Sequence, residues 1–279
     1  MLKPVGLIRG HFECRSLDET LPVFTDLLAM DVVERTDGQA VLKHPNTGWL
    51  LVVHAGGAEA PDKPHNNHYG FRVARPEEIE AAWKYLEVHR DRYRIRRVTR
   101  PHEIHFANSI YLAEPGGNDL EIEYYSPQAV AEGRSIAKPH WQTPLPEERF
   151  PGRGYVPQAL THGTLECDDK EASERFYRDV LGLQIAGGGR ISTYIKHPAT
   201  PWYIVVLPAK RRRSLSRSSR FTLDLGSPEA VEAAHRELAT TGVRLGVTAL
   251  DDLQHHSGAV SFTLGDPDRN WWEITAPAV

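Results

Sequence analysis

A glutamate on a predicted strand is the first residue of this chain whose position needs a chemical explanation. The stretch from Arg97 to Tyr125 predicts two strands around a Pro-Gly-Gly turn, and Glu121 lies in the second strand. Its neighbours Leu120 and Ile122 face the other side of that strand. A carboxylate on the inner face of a sheet needs a cation, a hydrogen-bond donor or a metal as partner. The chain contains 14 histidines, so imidazole ligands for a shared metal are available.

The composition is that of an ordinary globular protein. The 279 residues are 40% hydrophobic and 25% charged, and the formal net charge of -4 gives no reason to expect a nucleic-acid partner. The apolar runs are only as long as a strand and the N-terminus lacks the apolar core of a signal peptide, so we expect no membrane partner. Two cysteines, Cys14 and Cys167, predict no disulfide framework and favour a cytoplasmic protein.

The chain contains internal repeats. The sequence GHFEC at Gly10–Cys14 recurs as GTLEC at Gly163–Cys167, and this offset of 153 residues holds without a gap as far as Val53. The segment Pro76–Leu86 recurs as Pro228–Leu238 at an offset of 152 residues. The repeats divide the chain into four modules of about sixty residues, in which module 1 resembles module 3 and module 2 resembles module 4.

Each module has the same predicted order of elements. A short strand is followed by an amphipathic helix and then by two or three strands. This βαβββ order predicts an α+β fold, in which pairs of modules form half-barrels with the helices outside and a cleft inside. We expect a first domain at residues 1–126 (modules 1 and 2), a polar, proline-rich linker at 127–158, and a second domain at 159–279 (modules 3 and 4).

Two kinds of segment resemble a known superfamily. The segment Ala159–Leu183 is similar to the opening of a vicinal oxygen chelate module, and the turns EPGGNDLEI and DPDRNWWEI are similar to its closing strand. The superfamily contains glyoxalases, bleomycin resistance proteins and extradiol dioxygenases. Four such modules in one chain resemble the two-domain extradiol dioxygenases. Because the superfamily also contains lyases, epimerases, thiol transferases and metal-free binding proteins, the fold alone does not define the activity.

The resemblance implies a metal centre made by two histidines and one glutamate. The matching residues are His68 and Glu121 of module 2 and His162 of module 3. Two imidazoles and a carboxylate on one face of a metal leave the other face open for substrate and dioxygen. An alternative set replaces His162 by His11, which would need a β-bulge to come into register. A third interpretation is a metal-free module in which these residues are merely buried.

The other two modules carry arginines at the histidine positions. The repeats place Arg9 of module 1 and Arg220 of module 4 at these positions, with Glu273 in place of the metal-binding glutamate. We therefore predict that module 2 pairs with module 3 to complete one site. Module 1 would pair with module 4, where two guanidinium groups around a carboxylate replace the metal.

The resemblance also implies two catalytic residues. His102, Tyr111 and Glu121 have the spacing of the extradiol dioxygenase signature: Tyr111 follows His102 by nine positions, and Glu121 follows Tyr111 by ten. His102 would be a proton donor or acceptor, and Tyr111 would bind a substrate oxygen. A further active-site histidine of the family is missing near the end of module 3. Either Tyr203 or His105 replaces it, or the reaction differs from standard catechol cleavage.

From this resemblance we expect an Fe(II)-dependent extradiol-type ring-cleaving dioxygenase, with Mn(II) or another divalent metal as an alternative ion. Its partners would be a small catechol-like aromatic and dioxygen, and we expect a homo-oligomer. The alternatives are a metal-dependent lyase, isomerase or glyoxalase-like enzyme and a metal-free protein that binds aromatics. A glyoxalase site would need a fourth protein ligand, and the strands WLLVVHA and WYIVVLP offer no glutamate for it.

Overall fold

The α+β fold predicted from the four modules is confirmed. A computed structural model describes residues 1–56, 66–104, 106–131, 141, 143–188, 192–210, 215–256 and 259–276 of the chain. Within these residues each module has the order βαβββ, with one added short strand in modules 2 and 4. None of the described helices is long and apolar enough to cross a membrane. Cys14 and Cys167 are both buried, and neither forms a disulfide.

The elements of the first two modules follow one another closely along the chain. Module 1 contains β1 (Gly6–Cys14), α1 (Leu17–Pro22), β2 (Asp31–Arg35), β3 (Gln39–Lys43) and β4 (Leu50–Ala55). Module 2 contains β5 (His68–Arg72), α2 (Glu77–Val88), β6 (Arg97–Val98), β7 (His102–Ile104), β8 (Ala107–Ala113) and β9 (Asp119–Tyr125). A short helix, α3 (Pro127–Ala131), and a 3-10 turn (Glu147–Arg149) follow.

The last two modules repeat this arrangement. Module 3 contains β10 (Ala159–Cys167), α4 (Lys170–Asp179), β11 (Gln184–Gly188), β12 (Thr193–Lys196) and β13 (Tyr203–Pro208). Module 4 contains β14 (Arg220–Asp224), α5 (Pro228–Leu245), β15 (Ala249–Leu250), β16 (Gln254–His256), β17 (Ala259–Gly265) and β18 (Trp271–Ala276).

The first helix differs from the single amphipathic helix that its sequence predicts. It ends at Pro22 and continues as one π-helical segment, Val23–Leu27. Proline has no N–H to donate to the carbonyl four residues earlier, so the regular bonding pattern is interrupted there. The apolar side of the segment is kept, because Val23, Phe24 and Leu27 are fully buried.

The described residues form two compact units. One unit holds the described residues of Glu13–Pro61 and Asn67–Gly163. In it, β10 pairs antiparallel with β5, β5 pairs parallel with β9, and β9 pairs antiparallel with β8. Helix α2 packs on β8 and β9 through a buried apolar side that includes Ile79, Ala82 and Leu86. Module 3 therefore contributes its first strand to the sheet of module 2.

The other unit holds the described residues of Met1–Phe12, Asp62–Asn66 and Thr164–Val279. In it, β1 pairs antiparallel with β14, β14 pairs parallel with β18, and β18 pairs antiparallel with β17. Helix α5 packs on β17 and β18, and Ser227 caps its N-terminus by accepting a bond from the backbone N–H of Ala230. The predicted pairing of module 2 with 3 and of module 1 with 4 is confirmed. The predicted domain bounds stay a prediction.

Candidate metal centre

Three adjacent strands bring the predicted ligands together. Strand β5 lies between β10 and β9, and its residue Gly70 pairs with His162 on one side and with Glu121 on the other. His68 lies two residues before Gly70, so its side chain is on the same face of the sheet. The register of these three strands therefore places two imidazoles and one carboxylate side by side.

The donor atoms of His68, Glu121 and His162 converge. His68 Nε2 lies 3.2 Å from Glu121 Oε2 and 3.2 Å from His162 Nε2, and His162 Nε2 lies 3.3 Å from Glu121 Oε2. The side chains are between 4% and 11% exposed. Within the described residues this is the only group of three or more histidine, cysteine or carboxylate donors close enough to hold one ion. The donor set fits a divalent metal with open positions.

The imidazole of His162 rests on the backbone of Gly70. A Cβ atom added at Gly70 would lie 2.0 Å from Cε1, 2.4 Å from Nδ1 and 2.6 Å from Nε2 of that ring. Such separations are far shorter than a van der Waals contact. The position opposite His162 must therefore be a glycine if the ring is to reach Glu121 and His68.

A buried ion pair lies behind the three donors. Arg72 donates from Nη2 (2.6 Å) and Nε (3.2 Å) to Oε1 of Glu123, and these side chains are only 4% and 1% exposed. Glu123 Oε1 is also 3.6 Å from Nδ1 of His162. Burial opposes the charge of Glu123, but the cations of Arg72 and then His162 outweigh it and lower the pKa of Glu123. Glu123 therefore stays ionised beside the donors.

Charges also shift the pKa values of the donors. Burial opposes the charge of Glu121, but hydrogen bonds with His162 and His68 outweigh it and hold the pKa of Glu121 well below its usual range. Burial likewise opposes the charge of His162, but Glu123 and Glu121 outweigh it and raise the pKa of His162 from 6.5 to about 9. In the metal-free protein His162 is therefore a cation at neutral pH, and a metal must displace its proton.

Metal affinity is therefore expected to rise with pH. Since His162 loses one proton when it binds a metal, the apparent Kd for Mn(II) should fall about tenfold per pH unit from neutral pH towards 9 and then level off. In the metal-free protein this proton stabilises the fold below pH 6.5, and the contribution is lost as the pH rises through 9. Calorimetric titration with Mn(II) across this range measures the slope. A Kd that is independent of pH would contradict the assignment of His162 as a ligand.

Of the two predicted catalytic residues, Tyr111 lies beside His68 and His102 lies beside Tyr111. Tyr111 pairs with Glu121 between β8 and β9, and its ring lies edge-on to that of His68 with the centroids 5.3 Å apart. Burial, followed by the charge of Glu121, raises the pKa of Tyr111, so the phenol is neutral and can donate a hydrogen bond. The ring of His102 is exposed and its centroid lies 5.7 Å from that of Tyr111.

The backbone defines which nitrogen of His102 carries hydrogen. His102 Nδ1 lies 2.9 Å from the carbonyl oxygen of Arg100. A carbonyl only accepts hydrogen bonds, so Nδ1 must be the donor. The neutral imidazole consequently presents Nε2 as a proton acceptor.

The turn between β8 and β9 is held by a buried glutamate. Glu114 accepts hydrogen bonds from the backbone N–H groups of Gly116 and Asn118, from the side-chain amide of Asn118 and from the Thr20 hydroxyl. The register between β8 and β9 is therefore fixed from one end. This register sets Tyr111 opposite Glu121.

The equivalent position in modules 1 and 4 holds an ion pair. Arg220 Nη2 lies 3.2 Å from Glu273 Oε1, and Thr222 donates to Glu273 Oε2 over 2.7 Å. His11 Nε2 is 2.8 Å from the Thr222 hydroxyl and 3.7 Å from Glu273 Oε2. Of the two predicted arginines, only Arg220 makes an ion pair with Glu273 in the described part of the chain. Thr222, the counterpart of Gly70, pairs with Arg9 between β14 and β1.

Sequence reasoning missed several residues around the donors and left one prediction unresolved. Gly70, Arg72 and Thr161 were not predicted, although each lies on β5 or β10, the strands that carry His68 and His162. Tyr203, one predicted substitute for the missing histidine, is buried on β13, where its ring packs edge-on against Tyr194. His105, the other substitute, lies outside the described residues.

Comparisons with known proteins support the fold and its superfamily. The family model of the Glyoxalase/Bleomycin resistance protein/Dioxygenase superfamily matches residues 11–122. A catechol-2,3-dioxygenase of Bacillus subtilis (strain 168) is 24% identical over an alignment of 194 residues that covers 62% of this chain and 63% of that protein. The match thus spans less than two thirds of that relative.

Solved structures extend the likeness to the whole chain. Glyoxalase I from Zea mays superimposes with a TM-score of 0.64 at 14% identity, covering 97% of this chain and 92% of that one. A Bacillus subtilis protein described provisionally as a dioxygenase superimposes with a TM-score of 0.65 at 13% identity, covering 100% of this chain and 87% of that one. At such identities the likeness concerns the fold alone. The predicted resemblance is confirmed for residues 11–122, which match the model of the glyoxalase/bleomycin resistance/dioxygenase superfamily, and the solved structures share the fold of the whole chain.

Proposed function

We propose that the protein is an extradiol-type ring-cleaving dioxygenase that uses Fe(II) and acts on a catechol-like dihydroxylated aromatic. The observation that carries the proposal is the convergence of His68, His162 and Glu121, whose donor atoms are 3.2 to 3.3 Å apart. Two histidines and one carboxylate are the ligand set of non-haem Fe(II) oxygenases. The partial likeness to a catechol-2,3-dioxygenase supports the class of substrate.

Each residue has a role in this proposal. His68, His162 and Glu121 would hold Fe(II), for which Mn(II) or another divalent metal could substitute. When bound, the metal would supply positions at which the two substrate oxygens and dioxygen meet. The neutral phenol of Tyr111 would donate a hydrogen bond to a substrate oxygen, and Nε2 of His102 would accept a proton from a substrate hydroxyl.

The test is oxygen consumption by the protein reconstituted anaerobically with Fe(II). Mixed with a panel of catechols in air, it is expected to consume oxygen and to form a coloured ring-fission product. The variants Tyr111→Phe and His102→Ala should retain iron and show a kcat lowered by about 100-fold or more, because each loses one proton-handling group. Absence of oxygen uptake with every catechol by an iron-loaded protein would overturn the proposal.

The alternatives give different results in the same experiment. Retention of nickel, zinc or manganese without oxygen consumption would favour a lyase, isomerase or glyoxalase-like enzyme, although only three donors converge among the described residues. Tight binding of an aromatic without any metal would favour a binding protein. The homo-oligomer and the cytoplasmic location stay predictions.

A further inference from the structure

The residues behind His162 form a hydrogen-bonded chain that ends at a buried arginine. We propose that Thr161, Glu123 and Arg72 position His162, fixing the tautomer and the ring orientation that leave Nε2 available to a metal. The proposal rests on the metal centre of the proposed function and adds three positioning residues to it. It concerns metal binding and does not depend on the reaction that follows.

The hydroxyl of Thr161 decides which nitrogen of His162 carries hydrogen. Thr161 Oγ1 lies 3.1 Å from Nδ1 of His162, 3.0 Å from Oε1 of Glu123 and 3.1 Å from the carbonyl oxygen of Gly70. A hydroxyl has one hydrogen, and both oxygens can only accept it. Whether the hydroxyl hydrogen goes to Glu123 or to the carbonyl of Gly70, Oγ1 keeps lone pairs that can accept a hydrogen bond from Nδ1–H of His162. The metal-binding tautomer of His162 therefore has its hydrogen on Nδ1 and its lone pair on Nε2.

The chain of bonds is anchored by the ion pair. Two donor atoms of Arg72 bind the same oxygen of Glu123 that lies next to Thr161. Since this pair is almost fully buried, its bonds are not exchanged for bonds with bulk water. Glu123 is thereby held where it can attract the N–H side of the His162 ring, and the opposite edge of the ring is turned towards His68 and Glu121.

The internal repeats provide a comparison within one molecule. In modules 1 and 4, where arginines replace both ligand histidines, the positions of Thr161, Arg72 and Glu123 are occupied by other residues. They are Ile8, Asp224 and Thr275. None of these can rebuild the same chain of bonds, because the hydroxyl, the guanidinium and the carboxylate are all missing from their places. The three positioning residues thus occur only in the module pair that has the ligand histidines.

The experiment measures binding of Zn(II) alone, a diamagnetic ion that does not oxidise. The variant Thr161→Val keeps the shape of the side chain and removes the hydroxyl, and its Kd for Zn(II) should be about 10- to 100-fold weaker than that of the wild type. The variant Thr161→Ser restores the hydroxyl and should restore the affinity. The matched control is Thr222→Val, which removes a buried hydroxyl from the metal-free ion pair and should leave the Kd for Zn(II) unchanged.

Nitrogen-15 NMR spectra of the histidine rings distinguish positioning from a purely structural role, because a residue with only a structural role would leave the protonation pattern of His162 unchanged. In the Zn(II)-loaded wild type, His162 should show its hydrogen on Nδ1, and the variant Thr161→Val should lose the signal of a hydrogen-bonded Nδ1–H. A Thr161→Val protein with the Zn(II) affinity and Nδ1–H signal of the wild type would overturn the proposal. So would a wild type that does not bind Zn(II), whereas Zn(II) binding without catechol oxidation would reject only the dioxygenase.

Discussion

Replacing His68 by alanine is expected to abolish stable metal binding. The variant His68→Ala leaves only His162 and Glu121 at the site, and two donors hold a divalent ion far more weakly than three. We expect less than about one tenth of the wild-type metal content after desalting, measured by elemental analysis. Circular dichroism should show that the variant is folded, because the His68 side chain is at the edge of the site and partly exposed.

The repeats offer a matched control for this variant. Arg220 occupies the position of His68 in the metal-free module pair, where it binds Glu273. Arg220→Ala removes a larger and charged side chain from the same strand position, yet it should leave the metal content unchanged. If His68→Ala retained metal as the wild type does, the ligand set would be wrong, whatever reaction the protein performs.

The variant Gly70→Ala is expected to be nearly as damaging, although it adds a single methyl group. The new Cβ would lie 2.0 Å from the nearest atom of the His162 ring, so the ring must leave its position. Metal affinity should fall by about 100-fold or more, and the free energy of unfolding by about 1 to 3 kcal/mol. Metal titration and chemical denaturation measure the two effects separately.

A second glycine provides the control for this substitution. At Gly38, in the turn between β2 and β3, an added Cβ would meet no atom within 4 Å. Gly38→Ala should therefore change neither the metal affinity nor the stability by a measurable amount. Wild-type metal affinity in Gly70→Ala would show that the ring of His162 is not held against β5 when the metal is bound.

The modules and their pairing can be predicted from the sequence, because the internal repeats mark both of them. The repeated segments mark four βαβββ units. The exchange of His68 for Arg220 between repeats indicates which modules share a site. The register of β10 on β5 then agrees with that prediction, since His162 lies opposite Gly70 and beside Glu121.

The residues behind the ligands could not be predicted from the same signals. Arg72 ends β5 and Glu123 lies within β9, in strands of alternating character where charged residues usually face solvent. Only the parallel pairing of β5 with β9 places them opposite each other. Of the two arginines predicted around Glu273, the described residues show an ion pair for Arg220 and none for Arg9. The break in the first helix, by contrast, has a signal in the sequence, because Pro22 interrupts the regular hydrogen bonds of a helix.

The pairing of β10 with β5 has a consequence for folding during synthesis. During synthesis His68 and Glu121 leave the ribosome well before His162, and until β10 arrives one edge of β5 lacks this neighbour. An open strand edge can pair with other chains, so the nascent protein passes through a stage in which chaperones would be useful. The proposed metal site would be complete only after β10 has paired with β5, and the ion would then link two residues of module 2 to one residue of module 3.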